Sequence, residues 1–341
     1  MNSDDIGSQF SAARGGVQAA VCVVVIGRNE GVRLKRCFES LEPSVSTIVY
    51  VDSGSTDGSV AFARGLGVAI VELDMQIPFT AARARNAGFE HAKALQPLAK
   101  YVQFVDGDCE LEPNWIPTAV NFLETHADVA VVSGCLHERY PDASVYNMLC
   151  DIEWSAPAGE AKMCGGIAMM RVDAVQQVNG FNATLICGEE PELCSRMRAR
   201  GWHIWRLGDD MGWHDANMTR FGQWWVRTVR SGYSDAQAVV IDGAPPERRG
   251  VRASRRTWFW AAGVPFVTAL LAALWNPIAI WILLLYPMQI VRLALRGQRR
   301  VRENWLHSLF LVLGKFPELQ GQIKYMRLRF NGQQSKLIEH K

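Results

Sequence analysis

Short apolar runs alternate with amphipathic segments along the chain from residue 21 to residue 207. The apolar runs are short and rich in β-branched residues, which is typical of buried strands. We predict strands at Val21–Ile26, Ile48–Val51, Val68–Leu73, Tyr101–Val105 and Val129–Val132. The segments between them have helical spacing, and we predict helices at Glu30–Leu41, Gly58–Leu66, Thr80–Leu95 and Asn114–Thr125. This alternation favours an α/β fold with a mainly parallel sheet and helices on both of its faces.

A different pattern follows, because residues 257–291 form an uncharged stretch of 35 residues. One bilayer span needs about 20 apolar residues, so the stretch fits two short helices around a turn at Asn276-Pro277. Arginines flank both ends of the stretch, which places both ends on the cytoplasmic side of a membrane. A hairpin buried in a soluble core and a re-entrant hairpin that never crosses the bilayer are the alternatives.

These patterns divide the chain into five segments. We predict a flexible tail at 1–20, a sheet-containing domain at 21–235, a basic linker at 236–256, a transmembrane hairpin at 257–295, and an amphipathic interfacial segment with a tail at 296–341. Within the last segment, the apolar side of Trp305–Phe316 suits an interfacial helix better than a third span, because it is short. Trp224 and Trp225 fit a helix near lipid headgroups and a core helix equally well.

Composition and charge narrow the class of protein. The chain is 49% hydrophobic and 21% charged, which excludes a disordered or collagen-like polymer. The net charge of +2 combines −10 over residues 1–243 with +12 over residues 244–341. A basic, apolar region is typical of attachment to an anionic membrane surface, and the long uncharged interruption argues against a nucleic-acid partner. The eight cysteines form no CxxC pair and indicate buried thiols in a reducing compartment.

Polar clusters follow three of the predicted strands. These clusters are Gly27-Arg28-Asn29-Glu30, then Asp52-Ser53-Gly54-Ser55-Thr56-Asp57-Gly58, and then Asp106-Gly107-Asp108. In sheets of this kind, ligands bind beyond the carboxyl ends of the strands. Two aspartates one residue apart suit Mg²⁺ or Mn²⁺ shared with a substrate phosphate. Any single cluster can also be explained as a cap of the next helix, and no P-loop motif is present.

In their order and spacing the clusters resemble glycosyltransferase family 2, the inverting nucleotide-sugar transferases of GT-A type. The resemblance also rests on Ala84-Arg85-Asn86-Ala87-Gly88, Gly165-Gly166, Met170-Arg171 and Gly188-Glu189-Glu190-Pro191-Glu192-Leu193. It covers somewhat over half of the chain and implies a GT-A-type, Rossmann-like domain at residues 21–235. It also implies metal-dependent, inverting transfer of a hexose from a UDP-, GDP- or dTDP-linked donor.

The resemblance implies a donor-binding role for four residues. Glu30 and Asp52 would hold the nucleotide, with Asp52 at its base. Arg85 would face the donor diphosphate or the nucleotide, and Asp106 would lie near the ribose and the metal.

The resemblance also implies the metal site and the catalytic base. Asp108 would coordinate the Mg²⁺ or Mn²⁺, and His214 is the candidate for a further metal contact, with a hydrogen-bonded core histidine as the alternative. Glu190 matches the acidic position that removes the proton of the acceptor, although the family usually has aspartate there. The acidic first turn of a helix explains the same glutamates without catalysis.

Together these observations predict a membrane-anchored glycosyltransferase whose catalytic domain faces the cytoplasm at the inner membrane. We expect it to move one sugar to a lipid-linked acceptor in cell-envelope or exopolysaccharide synthesis. It is predicted to be non-processive because residues 222–228 lack the Gln-x-x-Arg-Trp motif of processive synthases. A polyprenyl-phosphate glycosyltransferase, whose ionised acceptor needs no base at Glu190, and a non-catalytic membrane scaffold are the alternatives.

Overall fold

The computed structural model describes residues 20–41, 45, 47–244 and 246–333, and these residues form two compact units. The first unit contains the described residues up to Tyr140 together with Cys150–Asn217. The second unit contains Pro141–Leu149 and the described residues from Met218 onwards. The predicted flexible tail at residues 1–20 lies outside the described residues, except for Ala20.

A single mixed sheet forms the centre of the first unit. Its strands, in chain order, are β1 (Val21–Gly27), β2 (Thr47–Asp52), β3 (Ala69–Glu72), β4 (Tyr101–Asp106), β5 (Cys109–Leu111), β6 (Val129–Glu138), β7 (Gly159–Glu160), β8 (Ala168–Arg171) and β9 (His203–His214). The order across the sheet is β3-β2-β1-β4-β8-β6-β9-β5, and β7 also pairs with β9. The strands β3, β2, β1 and β4 are parallel, whereas β8 runs antiparallel to β4 and β6, and β5 and β7 run antiparallel to β9.

Helices cover both faces of this sheet, as predicted. The helices up to residue 198 are α1 (Val32–Ser40), α2 (Ser59–Gly65), α3 (Ala81–Leu95), α4 (Trp115–Thr125), α5 (Val145–Trp154), α6 (Val172–Gln177) and α7 (Glu189–Arg198). Alternate residues of β1 enter two separate cores because successive side chains of a strand point to opposite faces. Val23 joins the core that contains Trp115 of α4, and Val24 joins the core that contains Phe89 of α3.

The antiparallel part of the sheet is where the structure goes beyond the sequence prediction. The strands β5 and β7 have three and two residues, which is too short to show any alternation. The strand β8 lies between β4 and β6 although it follows both of them in the chain. The pairing of β9 with β6 is interrupted by register shifts. At such shifts the side chains of a strand no longer alternate regularly between the two faces of the sheet, so the strand is harder to predict from sequence.

The second unit is helical. Its longer elements are α8 (Phe221–Asp242), α9 (Val251–Trp258), a π-helical segment (Phe259–Gly263), α10 (Val264–Leu274), a 3-10 helix (Pro277–Leu284), α11 (Leu285–Arg296), α12 (Val301–Leu313) and α13 (Lys315–Phe330). The helix α8 continues past residue 235, where the predicted domain ends, and the two compact units divide between Asn217 and Met218. Trp224 of α8 is buried and its ring lies 4.8 Å from that of Phe310, which makes it a core residue.

Glycines allow α8 and α13 to approach closely. A Cβ atom on Gly232 of α8 would lie 2.0 Å from the carbonyl oxygen of Glu318, and one on Gly321 of α13 would lie 2.0 Å from that of Val229. Neither distance can be accommodated without moving backbone. The second unit therefore has a tightly packed helix pair at its centre.

Two consecutive helical segments, Val251–Leu274 and Pro277–Arg296, are long and apolar enough to cross a membrane. They meet at the predicted turn, where Asn276 Oδ1 accepts a hydrogen bond from the backbone nitrogen of Ile278 at 2.9 Å. Large apolar side chains are exposed around this turn, with Leu274 at 78%, Trp275 at 85% and Trp281 at 64% exposure. By length and composition, these two segments match the predicted hairpin.

Candidate active site

Asp52 closes the end of β2 and orders the loop that follows. Its side chain is buried, and its Oδ1 accepts a hydrogen bond from the Tyr50 hydroxyl at 3.0 Å. Its Oδ2 accepts hydrogen bonds from the backbone nitrogens of Gly54 and Ser55, each at 2.8 Å. Gly54 has a φ of +82°, a conformation that favours glycine. The carboxylate thus fixes a tight turn at the carboxyl end of the strand.

The loop after β1 is joined to the loop after β2. Asn29 Oδ1 accepts a hydrogen bond from the backbone nitrogen of Thr56 at 2.7 Å, and the Asn29 backbone nitrogen donates to Ser55 Oγ at 2.9 Å. Glu30 is buried and forms a 2.7 Å ion pair with Arg33. Since β1 and β2 are paired with Gly27 opposite Asp52, Glu30 and Asp52 follow neighbouring strands at one edge of the sheet.

Arg85, on α3, joins two acidic segments that are far apart in the sequence. Its Nη1 donates to Glu189 Oε1 at 2.7 Å, and its Nη2 donates to Asp106 Oδ1 at 2.8 Å. Nη2 also lies 3.3 Å from the carbonyl oxygen of Gly166. The Arg85 side chain is 4% exposed. Burial acts to lower the pKa of Arg85, but Asp106 and Glu189 outweigh it and raise that pKa, so the side chain is charged.

A glycine makes room for this ion-pair network. A Cβ atom on Gly166 would lie 2.7 Å from Asp106 Oδ2 and 2.9 Å from Arg85 Nη2. Arg85 was predicted to face the donor, and this stays a prediction. In the structure its two terminal nitrogens are bound to protein oxygens, so it also positions Asp106.

Glu190 lies in the first turn of α7, which starts after Gly188 with a φ of +72°. Glu189 is buried, whereas Glu190 is partly buried. Burial raises the pKa of Glu190 to about 7, and the nearby charge of Glu189 adds to the effect, while Arg85 opposes it. A carboxyl group with this pKa exchanges its proton near neutral pH, which is what a general base requires.

The predicted metal ligands Asp108 and His214 are brought together by strand pairing. Asp108 lies between β4 and β5, and β5 pairs with β9 so that Cys109 is opposite His214. His214 Nε2 is 3.3 Å from Asp108 Oδ2. The Trp154 ring stacks on the imidazole with ring centres 4.5 Å apart, which fixes the orientation of the imidazole.

The donor set at this position fits a divalent cation. Ligand atoms of Asp108, Cys109 and His214 all lie within 4.8 Å of one another. Carboxylate oxygen and imidazole nitrogen suit Mn²⁺, and carboxylate oxygen shared with a phosphate suits Mg²⁺. Cys109 is buried within the apolar core on one face of the sheet, so Asp108 and His214 are the members of this group that could hold a cation.

Sequence reasoning missed three residues that shape the site. Tyr50 has a detectable signal, since it is two residues before Asp52 and therefore on the same face of its strand. Glu189 belongs to the motif that includes Glu190, but its partner Arg85 is 104 residues away in the chain. Trp154 has no sequence signal that connects it to His214, because only the fold brings the two rings together.

Comparisons with known proteins agree with this architecture. Residues 22–177 match the family model described as glycosyl transferase family 2, and residues 149–220 match the model described as the N-terminal domain of galactosyltransferase. No curated protein matches the chain in sequence.

Solved structures share its fold. The mannosyltransferase PcManGT from Pyrobaculum calidifontis, in complex with GDP-Man and Mn²⁺, has a TM-score of 0.56 and 17% identity over 95% of this chain and 99% of that chain. TarS 1-349 from S. aureus has a TM-score of 0.50 and 14% identity over 90% and 91% of the two chains. Glucosyl-3-phosphoglycerate synthase from Mycobacterium tuberculosis, in complex with Mn²⁺, UDP and phosphoglyceric acid, has a TM-score of 0.50 and 16% identity over 72% and 84%. The predicted α/β fold class with C-terminal helices is confirmed.

Proposed function

We propose that this chain is a member of glycosyl transferase family 2 and transfers one sugar from a nucleotide-sugar to a hydroxyl group of a lipid-linked acceptor. The observation that carries the proposal is two sets of contacts, which are joined along the chain by residues 106–108. Asp108 lies beside His214, and the adjoining Asp106 is held by Arg85, which also holds Glu189 next to Glu190. A cation site, a donor-side carboxylate and a base are therefore linked in one network.

The donor is assigned to the edge of the sheet where β1, β2 and β4 end. Glu30 and Asp52 hold the nucleotide, with Asp52 at the base, and Asp106 lies at the ribose. Arg85 serves the donor by fixing the carboxylate of Asp106. Two solved proteins of similar fold contain GDP-Man with Mn²⁺ or UDP with Mn²⁺, which supports a nucleotide donor and a divalent ion.

Asp108 and His214 hold the divalent ion in this proposal, and either Mg²⁺ or Mn²⁺ suits them. When bound, the ion supplies positive charge that stabilises the departing nucleoside diphosphate. Glu190, as the carboxylate, accepts the proton of the acceptor hydroxyl. The acceptor oxygen forms a bond to the anomeric carbon while the bond from that carbon to the diphosphate oxygen breaks, and the configuration at the carbon is inverted.

The helical unit supports the membrane part of the proposal. Two apolar helical segments with arginine-rich flanks fit an anchor in the inner membrane, with the sheet unit on the cytoplasmic side. A lipid-linked acceptor of cell-envelope or exopolysaccharide synthesis follows from that placement. Transfer to a lipid phosphate itself is the second candidate. The raised pKa of Glu190 favours a hydroxyl acceptor, because a phosphate oxygen needs no base.

The test uses the full chain purified in detergent. A panel of UDP-, GDP- and dTDP-sugars is supplied with Mn²⁺ or with EDTA, and both donor binding and the release of nucleoside diphosphate are measured. We expect turnover of one donor with Mn²⁺, its loss in EDTA and in Asp108→Asn, and unchanged turnover in the exposed control Asp142→Asn. If the wild-type chain binds no donor in either condition, the transferase proposal is wrong and the scaffold alternative replaces it.

A further inference from the structure

A groove of about 640 Å³ runs along α13 in the second unit, and we call it the α13 groove. Its apolar lining includes Phe316, Leu319 and Ile323, and its cationic lining is Lys324 and Arg327. Phe316, Leu319, Ile323 and Arg327 recur three or four residues apart, and Lys324 is three residues before Arg327, so the lining lies along one side of the helix. At 1.5 Å per residue, the lined stretch from residue 316 to residue 328 is about 18 Å long.

The apolar end of the α13 groove adjoins the hairpin. The Phe316 ring lies 5.9 Å from the ring of Tyr286, which belongs to the second hairpin segment. The Tyr286 hydroxyl donates a hydrogen bond to the carbonyl oxygen of Trp260 in the first segment at 2.5 Å. The groove therefore leads from the exposed apolar surface of the hairpin to a pair of positive charges.

The two cations at the other end are available for an anion. Lys324 and Arg327 are exposed and stand about one helical turn apart. Within the part of the chain that the structure describes, neither forms an ion pair. Lys315 of the same helix differs, because its Nζ lies 2.6 Å from Glu318 Oε2. A lysine and an arginine on one side of a helix are suited to a phosphate group, which each can contact through several N–H donors.

We propose that the α13 groove binds the hydrocarbon chain and the phosphate of the lipid-linked acceptor, an inference that rests on the proposed function. The apolar stretch receives the lipid chain where it leaves the hairpin, and the cationic end receives its phosphate. Two unpaired positive charges match a diphosphate that links a lipid to a sugar, because this group carries two negative charges. They match less well the single charge of a membrane phosphodiester.

The test measures lipid binding directly. The full chain in detergent is titrated with farnesyl phosphate, and farnesol serves as the matched lipid without a phosphate. We expect the double variant Lys324→Ala/Arg327→Ala to bind farnesyl phosphate at least roughly tenfold more weakly than the wild type. Arg329→Ala, an exposed cation outside the groove, should bind within about twofold of the wild type, and farnesol binding should not differ among the variants.

Two results would overturn the proposal. One is equal binding of farnesyl phosphate by the double variant and the wild type. The other is equally effective competition by phosphatidylglycerol vesicles, which would mean that the cations recognise a bilayer surface. Nucleotide-sugar binding, measured on the same preparations, separates this proposal from the proposed function. If the double variant binds farnesyl phosphate as tightly as the wild type and donor binding is intact, only the lipid-site proposal is wrong. If the wild type binds no donor, the transferase proposal is wrong.

Discussion

The two units of this chain treat their large apolar side chains in opposite ways. In the sheet unit, Val24 and Phe104 have no exposed surface, and the polar side chains converge at the ends of the strands. In the helical unit, Leu274, Trp275 and Ile280 are 78%, 85% and 59% exposed. The sheet unit therefore completes its own core, whereas the hairpin leaves a continuous apolar surface of the kind that marks an interaction site.

The two units also differ in where their charged side chains lie. The sheet unit buries Arg85 between two carboxylates and places its acidic groups where a cation and a phosphate can be held. The hairpin contains no charged residue between positions 257 and 291, and its arginines lie outside that stretch. One unit is organised for polar chemistry and the other for an apolar environment.

The largest expected effect comes from placing an aspartate at an apolar position of each unit. We expect Val24→Asp to unfold the sheet unit, since an unpaired buried charge costs more than about 4 kcal/mol. Ile280→Asp should leave the melting temperature of the detergent-purified chain nearly unchanged but reduce the fraction recovered with membranes. Differential scanning fluorimetry and membrane fractionation measure the two effects. If Ile280→Asp failed to fold while Val24→Asp folded, the buried apolar core would lie at the hairpin and not in the sheet unit, which would contradict the comparison.

The buried ion-pair network gives the next largest effect. Arg85→Ala leaves two carboxylates without their partner and should lower the free energy of unfolding by about 3–5 kcal/mol. The exposed control is Arg64→Ala, which breaks the surface pair with Glu72 and should cost less than about 1 kcal/mol. Urea denaturation measures both values. If the two variants lost the same free energy of unfolding, the network around Arg85 would stabilise the chain no more than a surface ion pair does.

A substitution at the base should lower turnover strongly. We expect Glu190→Gln to reduce kcat by roughly 10²–10⁴-fold without weakening donor binding, because only proton removal is lost. The wild-type rate should rise with pH through about 7, where Glu190 loses its proton. The exposed control Glu90→Gln should keep the wild-type rate and profile. A Glu190→Gln variant with full activity would favour a lipid phosphate as acceptor.

The same carboxyl group affects stability with a predictable sign. The folded state holds the Glu190 proton up to about pH 7, whereas an unfolded glutamate releases it near the ordinary pKa of 4.5. The folded chain therefore loses stability from this group as the pH rises from about 4.5 to 7. Glu190→Gln should be more stable than the wild type at pH 8, by about 3 kcal/mol, and equally stable below pH 4.5. An unchanged difference across this range would contradict the pKa assignment.

The smallest effect concerns the helix pair in the helical unit. Gly232→Ala should destabilise the chain by about 1–3 kcal/mol, since the added Cβ would lie 2.0 Å from a carbonyl oxygen of α13. Gly222→Ala in the same helix has no atom within 4 Å of its Cβ and should be neutral or slightly stabilising. Thermal unfolding of the two variants measures the difference. Equal melting temperatures would mean that α8 and α13 are less closely packed.

The sequence predicted the parts of the fold in which a pattern is local. Strands β1 to β4 and the helices between them were predicted to within about two residues, because buried strands and amphipathic helices repeat with short periods. The strand β8 was missed because four residues show little alternation and it inserts between β4 and β6. The two apolar helical segments were predicted because a stretch of 35 residues without a charged residue is long enough for two short apolar helices.

The site was predictable to the extent that its residues follow strands. Asp52 and Asp106 end β2 and β4, the two strands that pair with β1 in the parallel part, so their common edge could be expected from the alternation. The proximity of Asp108 and His214 was inferred from the family resemblance, and the pairing of β5 with β9 accounts for it physically. The contact of Arg85 with Glu189 could not be predicted, since it depends on how α3 and α7 pack.

The central claim is that Asp108 and His214 hold the divalent ion of a sugar transfer reaction. Electron paramagnetic resonance of Mn²⁺, added to the detergent-purified chain with UDP or GDP, tests it most directly. We expect a protein-bound Mn²⁺ signal with one of the nucleotides, its loss in Asp108→Asn and His214→Ala, and its retention in the surface control His203→Ala. An Asp108→Asn variant that binds Mn²⁺ as tightly as the wild type would contradict the account.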